Sequence, residues 1–130
     1  NLEVTYKEEN KEPYPEVNLF CSNKYNKSIG KLSFIGKRSV ASVYKVVEHG
    51  IVITDETGWK KYQNNQNAFV KGASRTKKSV AAGKANNGTY EARLKCGKTE
   101  KWYGRSYVTY TDGTHTYTEY SKVSAYPAAN

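Results

Sequence analysis

KWYGRSYVTYTDGTHTYTEYSKVSAYP, residues 101–127, decides the fold class. Residues 102–110 and 114–123 are rich in Tyr, Thr and Val, side chains that fit a pleated, half-buried surface. Asp112-Gly113 between them is a strong two-residue hairpin signal, because a type I′ turn requires positive φ at both central positions. With that turn Tyr110 faces His115, Val108 faces Tyr117, Tyr107 faces Thr118 and Arg105 faces Tyr120. Aromatic residues then meet β-branched ones, and a guanidinium lies beside a phenol ring. One hairpin face carries Arg105, Tyr107, Tyr120 and Lys122; the other carries Val108, Tyr110, His115 and Tyr117. One of them must be core, and the residue types leave the choice open.

Upstream, turn signals separate strand-like runs every 8–15 residues: 17–25, 31–40, 44–54 and 89–94, with short strands expected at 69–70 and 78–80. Gly36 and Gly50 mark expected bulges or close backbone approaches, so the inward parity of Val46 against Val47 stays open. Residues 55–67 read as a polar connection holding Trp59 and Tyr62. No helical period lasts three turns. The pattern is all-β, an antiparallel two-sheet sandwich of about seven or eight strands with chain ends at opposite poles.

The first sixteen residues differ from the rest. Residues 1–7 alternate, with Leu2, Val4 and Tyr6 pointing one way as a strand; residues 8–15 are acidic and broken by Pro13 and Pro15. This divides the chain into a strand-plus-acidic-linker leader, residues 1–16, and a sandwich domain, residues 17–130. A strand held off by a linker can serve as the first edge strand of its own sheet or pair with another subunit.

The 130 residues suffice for one core, and no run of about 18 apolar residues is present to cross a membrane as a helix. No signal peptide is evident, so a chain beginning at Asn1 reads as a mature or processed form. Net charge is +9, yet the leader holds five Glu against Lys7 and Lys11. Between residues 57 and 90 seven bases occur without an acid: Lys60, Lys61, Lys71, Arg75, Lys77, Lys78 and Lys84. They form either a patch for a glycan or other polyanion, or a solvated region that discourages edge pairing. Lys outnumbers Arg and no nucleic-acid motif accompanies the charge, which argues against nucleic acid. The acidic leader also suits a basic face, its own or a neighbour's.

Cys21 and Cys96 fit no zinc, redox or haem spacing. A disulfide between them would close a loop of about 75 residues and contribute on the order of 4 kcal/mol in the chain-entropy account; two buried free thiols are the alternative. His49 and His115 are the sole imidazoles, and neither stands near a Ser or Cys in an elbow context. No spacing supplies three or four metal ligands. These features point away from an enzyme and imply no cofactor. Nothing marks a Lys–Asn pair for an isopeptide bond. The sequons at Asn26 and Asn87 matter only in a eukaryotic secretory route.

KLSFIGKRSV, YKVVEHGIVIT, GTYEARL, YGRSYVTYTDG and YTEYSKVSA, in that order from about residue 31 to 125, resemble an immunoglobulin-like or fibronectin type III-like module of bacterial surface or phage virion proteins. The resemblance implies that Tyr103, following Leu94, is a tyrosine-corner residue whose hydroxyl bonds backbone upstream and whose strand turns Arg105 and Tyr107 inward. It departs in Cys96, which falls in the loop before the hairpin, and in the positions of Trp59 and Trp102. The combined expectation is an extracellular, non-enzymatic structural subunit or spacer. Its partners would be copies of itself or a larger surface scaffold. An adhesin using the basic 60–84 region on a glycan or polyanion is the alternative.

Overall fold

The computed structural model describes residues 17–83 and 86–127. The expected leader strand with Leu2, Val4 and Tyr6, and Lys84 of the basic series, lie outside the described residues.

The chain builds β1 (Val17–Asn26), β2 (Lys31–Val40), β3 (Lys45–Asp55), a short helix α1 (Glu56–Tyr62) and a 3-10 turn (Gln66–Ala68). Then follow β4 (Thr76–Val80), β5 (Gly88–Lys95), β6 (Trp102–Thr111), β7 (Thr116–Tyr120) and β8 (Ser124–Tyr126). One antiparallel sheet has the order β1-β2-β5; the other has the order β4-β3-β6-β7, with β8 pairing the start of β6. The fold is an all-β two-sheet sandwich, and its strand order is compatible with an immunoglobulin-like one. Val17 packs near Val40 and Tyr117 at one pole, while Tyr126 stacks on Tyr25 at the other.

Alternation explains the inter-sheet core. Leu32 and Phe34 point inward from β2, Tyr90 and Ala92 from β5, and Ile51 and Ile53 from β3, forming one buried cluster. Gly104 lets β6 approach it, since a Cβ there would meet the Phe34 ring at 2.7 Å. The expected bulge at Gly36 is absent: its ladder is regular, and its missing side chain makes room for the Tyr90 ring instead. Gly50 is a close approach, its Cβ position blocked by the Ser79 carbonyl oxygen. The bulge in β3 falls between Val46 and Glu48; Val46 packs inward and Val47 is exposed.

Both faces of the hairpin's first strand are buried, so the choice between them dissolves. Ser106, Val108 and Tyr110 face the three-stranded sheet, while Arg105, Tyr107 and Thr109 face the segment 55–75. That segment is no mere polar connection. Asp55 caps α1 through a bond from the Gly58 N–H to its Oδ1, 2.9 Å. Tyr62 and Phe69 from this cover bury against Val52 and Tyr107, with Trp59 packed alongside, as a second core. Phe69 does so from the end of the 3-10 turn, not from the strand expected at 69–70.

The hairpin exists, but its register is two residues off. Tyr107 opposes Tyr120, Val108 opposes Glu119 and Tyr110 opposes Tyr117, so each residue keeps its face but changes its partner. Asp112 does not take the positive φ that a type I′ turn demands; Gly113 does. Instead the Asp112 Oδ1 accepts the N–H groups of Thr114 and His115, lengthening the connection to four residues. Arg105 still lies over the Tyr120 ring, 5.1 Å from its centroid, as a diagonal neighbour.

Candidate interaction surfaces

Several cations of the basic 60–84 series are engaged within the fold. Lys71 and Lys78 both pair with Glu48, at 3.7 and 3.0 Å, and Lys71 donates to the Thr109 hydroxyl. The Tyr107 hydroxyl also donates to Glu48, and this bond, with the two lysines, holds the Glu48 carboxyl below its ordinary range. Arg75 pairs with Asp55 at 2.8 Å, and the Lys61 ammonium donates to Ser74. Lys60 and Lys77 remain exposed, with no ion pair among the described residues. Lys71 and Arg75 fasten the outer cover to the large sheet, Lys78 bridges two strands of that sheet, and Lys61 bonds within the cover.

The register gathers a different set. On the outward face of the β1-β2-β5 sheet, Lys24 opposes Ser33, which opposes Arg93, and Lys31 opposes Lys95. Lys37 stands opposite Phe20, which is 61% exposed. Five cations thus share one face, uncovered by any described residue, with Glu91, which is itself paired with Arg93 at 2.9 Å. A shallow depression of about 400 Å³ runs through Lys24, Lys31, Ser33, Ile35 and Arg93. The sequence carries the signal as alternate outward positions of three strands, but only pairing brings residues 24, 37 and 93 together.

A second feature lies along one side of the sandwich. Among the described residues β4 and β5 each pair on one side only, and between them a cleft of about 230 Å³ is lined by Ile53, Ala92, Leu94 and Trp102, with Lys77 and Arg93 beside them. A larger cleft of about 550 Å³ at the Val17 pole is lined by Val40, Tyr44, Lys45 and Val46 among others. Among the described residues no three His, Cys, Asp or Glu side chains converge.

The cysteines are free, which corrects the expected disulfide. Cys21 opposes Gly36 on β2, whereas the Cys96 N–H donates to the Gly30 carbonyl. Six residues of strand separate those levels, about 20 Å at 3.3 Å per residue, far beyond disulfide reach. Burial pushes the Cys21 thiol up to about 12, so it is inert rather than nucleophilic. The Tyr103 hydroxyl makes no upstream backbone bond among the described residues; its ring stacks on Trp59, centroids 4.7 Å apart. The Asn87 side-chain amide bonds both the N–H and the C=O of Val40, a structural use of that sequon.

His49 lies between the sheets, 2% exposed, stacked on Tyr90 at 4.0 Å and bonded through Nε2 to the Ala82 carbonyl. Its Nδ1 has no hydrogen-bond partner among the described residues. Burial, and then the Arg38 charge, lowers its pKa below 6.5, so the native state binds its proton less readily than the unfolded chain. Stability conferred by neutral His49 is complete above about pH 6.5 and falls as pH drops from there towards the folded pKa. Glu48, Asp55 and Glu91, all depressed, begin to cost stability only below about pH 4.5. Urea midpoints should therefore decline between pH 7 and 5, with a slope of at most about 1.4 kcal/mol per pH unit. His49→Phe should flatten that decline; an unchanged slope in the variant rules His49 out as its source.

No family model, curated protein or solved structure matches the chain.

Proposed function

We propose that this chain is a non-enzymatic structural module of an extracellular or virion-surface assembly, an immunoglobulin- or fibronectin III-like subunit or spacer that self-associates through its leader. The observation that carries the reading is charge segregation. Residues 1–16 bear five Glu against two Lys, while the sandwich offers an uncovered sheet face with Lys24, Lys31, Lys37, Arg93 and Lys95. Exposed Phe20 and half-buried Ile35 add apolar area to that face. Charge pairs of this exposed kind are individually weak and salt-sensitive, and they set orientation more than strength.

Sedimentation of the full chain should show association at low ionic strength that weakens as salt rises. Changing Glu8, Glu9, Glu12 and Glu16 to Gln, or deleting residues 1–16, should leave monomer. An oligomeric state indifferent to both changes overturns the reading. The same basic face favours a second reading, capture of an anionic glycan. A monomeric chain retained on heparin, and released by Lys24→Gln, Lys31→Gln and Lys95→Gln together, would establish that one instead.

A further inference from the structure

We propose that the leader strand, residues 1–7, adds to the free edge of β5 in a neighbouring copy and lays Leu2, Val4 and Tyr6 into the cleft between β5 and β4. The inference rests on self-association through the leader and specifies where it docks.

Three features of the molecule converge on that occupant. The first is edge geometry. β5 spans Gly88–Lys95, eight residues with one side unpaired among the described residues, which matches the seven-residue alternating run at the start of the chain. A strand added there satisfies backbone donors and acceptors that otherwise face water. The second is parity. Ala92 and Leu94 point from β5 into the cleft, beside Ile53 and Trp102. A strand laid alongside puts every second side chain on that same face, a step of about 7 Å, so Leu2, Val4 and Tyr6 would cover it together.

The third is charge. Residues alternating with the apolar row emerge on the outward face of the sheet, where Arg93 and Lys95 stand on β5. Glu3 and Lys7 belong to that set and offset each other, so the charge match comes from Glu8, Glu9, Glu12 and Glu16, against Lys11, which would follow across a face carrying Lys24, Lys31 and Lys37. One leader thus uses the cleft and the basic face at once. Pro13 and Pro15 separate the alternating run from β1 in the sequence, and a strand set off in this way can pair with another subunit.

The test uses two variants of the full chain. One carries Val4→Lys, which spoils the leader; the other carries Lys77→Glu and Arg93→Glu, exposed changes that spoil the cleft rim while sparing the core. A further cleft variant, Leu94→Glu, is used where its urea midpoint matches the parent. Each variant by itself should associate at least about tenfold more weakly than the parent, a loss of about 1.4 kcal/mol. An equimolar mixture should restore a dimer and nothing larger, since only one sound leader and one sound cleft then meet. A mixture that stays monomeric overturns the docking site. So does a cleft variant that associates like the parent, although self-association by the leader would survive that result. A parent chain that is monomeric at every concentration overturns self-association itself, and the docking site with it.

Discussion

Replacing Arg105 by Met is expected to cost about 3–5 kcal/mol, because the change strands buried carbonyl groups. Arg105 sits in the middle of β6, 8% exposed, on the face turned away from the three-stranded sheet. Its Nε donates to the Ser121 carbonyl at 2.9 Å, and Nη1 donates to the carbonyls of Gln66 and Phe69 at 2.7 and 3.1 Å. The guanidinium also lies over Tyr120. A single side chain therefore ties the 3-10 turn and the chain after β7 to the outer face of the large sheet. Methionine fills similar volume but offers no donor, so each carbonyl must find water or move. Arg105→Lys should recover part of the loss, since one ammonium can reach one or two of those oxygens but lacks the planar fork. Urea denaturation supplies the number, and hydrogen exchange locates it. The amides of residues 56–75 should open well before those of β2, β3 and β5. A cost under about 1 kcal/mol, in the range of surface pairs, would show that the cover is held by its aromatic contacts instead.

The second large effect lies on the opposite side of β6. Phe34→Ala should cost about 3–5 kcal/mol, since the ring is completely buried at the centre of the inter-sheet core. Gly104→Ala should cost about 1–3 kcal/mol by pushing a methyl group into that ring. The two changes should not add. With Phe34 shortened, the new methyl enters the space the ring vacates, and the double variant should be more stable than additivity predicts by about 1 kcal/mol. Additive losses would mean that the sheets do not close on each other at this pair.

Much of the architecture was legible in residues read one strand at a time. The runs at 31–40, 44–54, 89–94 and 102–110 became β2, β3, β5 and β6 within a residue or two at either end. The reason is that a period of two, written in Leu32 and Phe34 or in Ile51 and Ile53, is a local property. The opposite placement of Glu48 and His49 followed from the same parity: Glu48 meets Lys71 and Lys78 outside, and His49 stacks on Tyr90 inside. Where sequence reading slipped, another local group intervened. The Asp112 side chain bonded the turn's own N–H groups and lengthened the hairpin connection. The α1 segment escaped notice because it makes fewer than two turns, with a cap at Asp55 as its clearest sign.

The sequence by itself determined most of the strands among the described residues, which side chains within each share a face, and the charge contrast between leader and sandwich. Only the tertiary structure decided that both faces of β6 are buried, that Cys21 and Cys96 stand too far apart to bond, and that Lys71, Arg75 and Lys78 are occupied by Glu48 and Asp55. It also decided that Lys24, Lys37 and Arg93 share one uncovered sheet face and that β4 and β5 leave a cleft between their edges. Alternation assigns a face, but the partner across that face depends on sheet order and register, which are set by contacts between residues tens of positions apart.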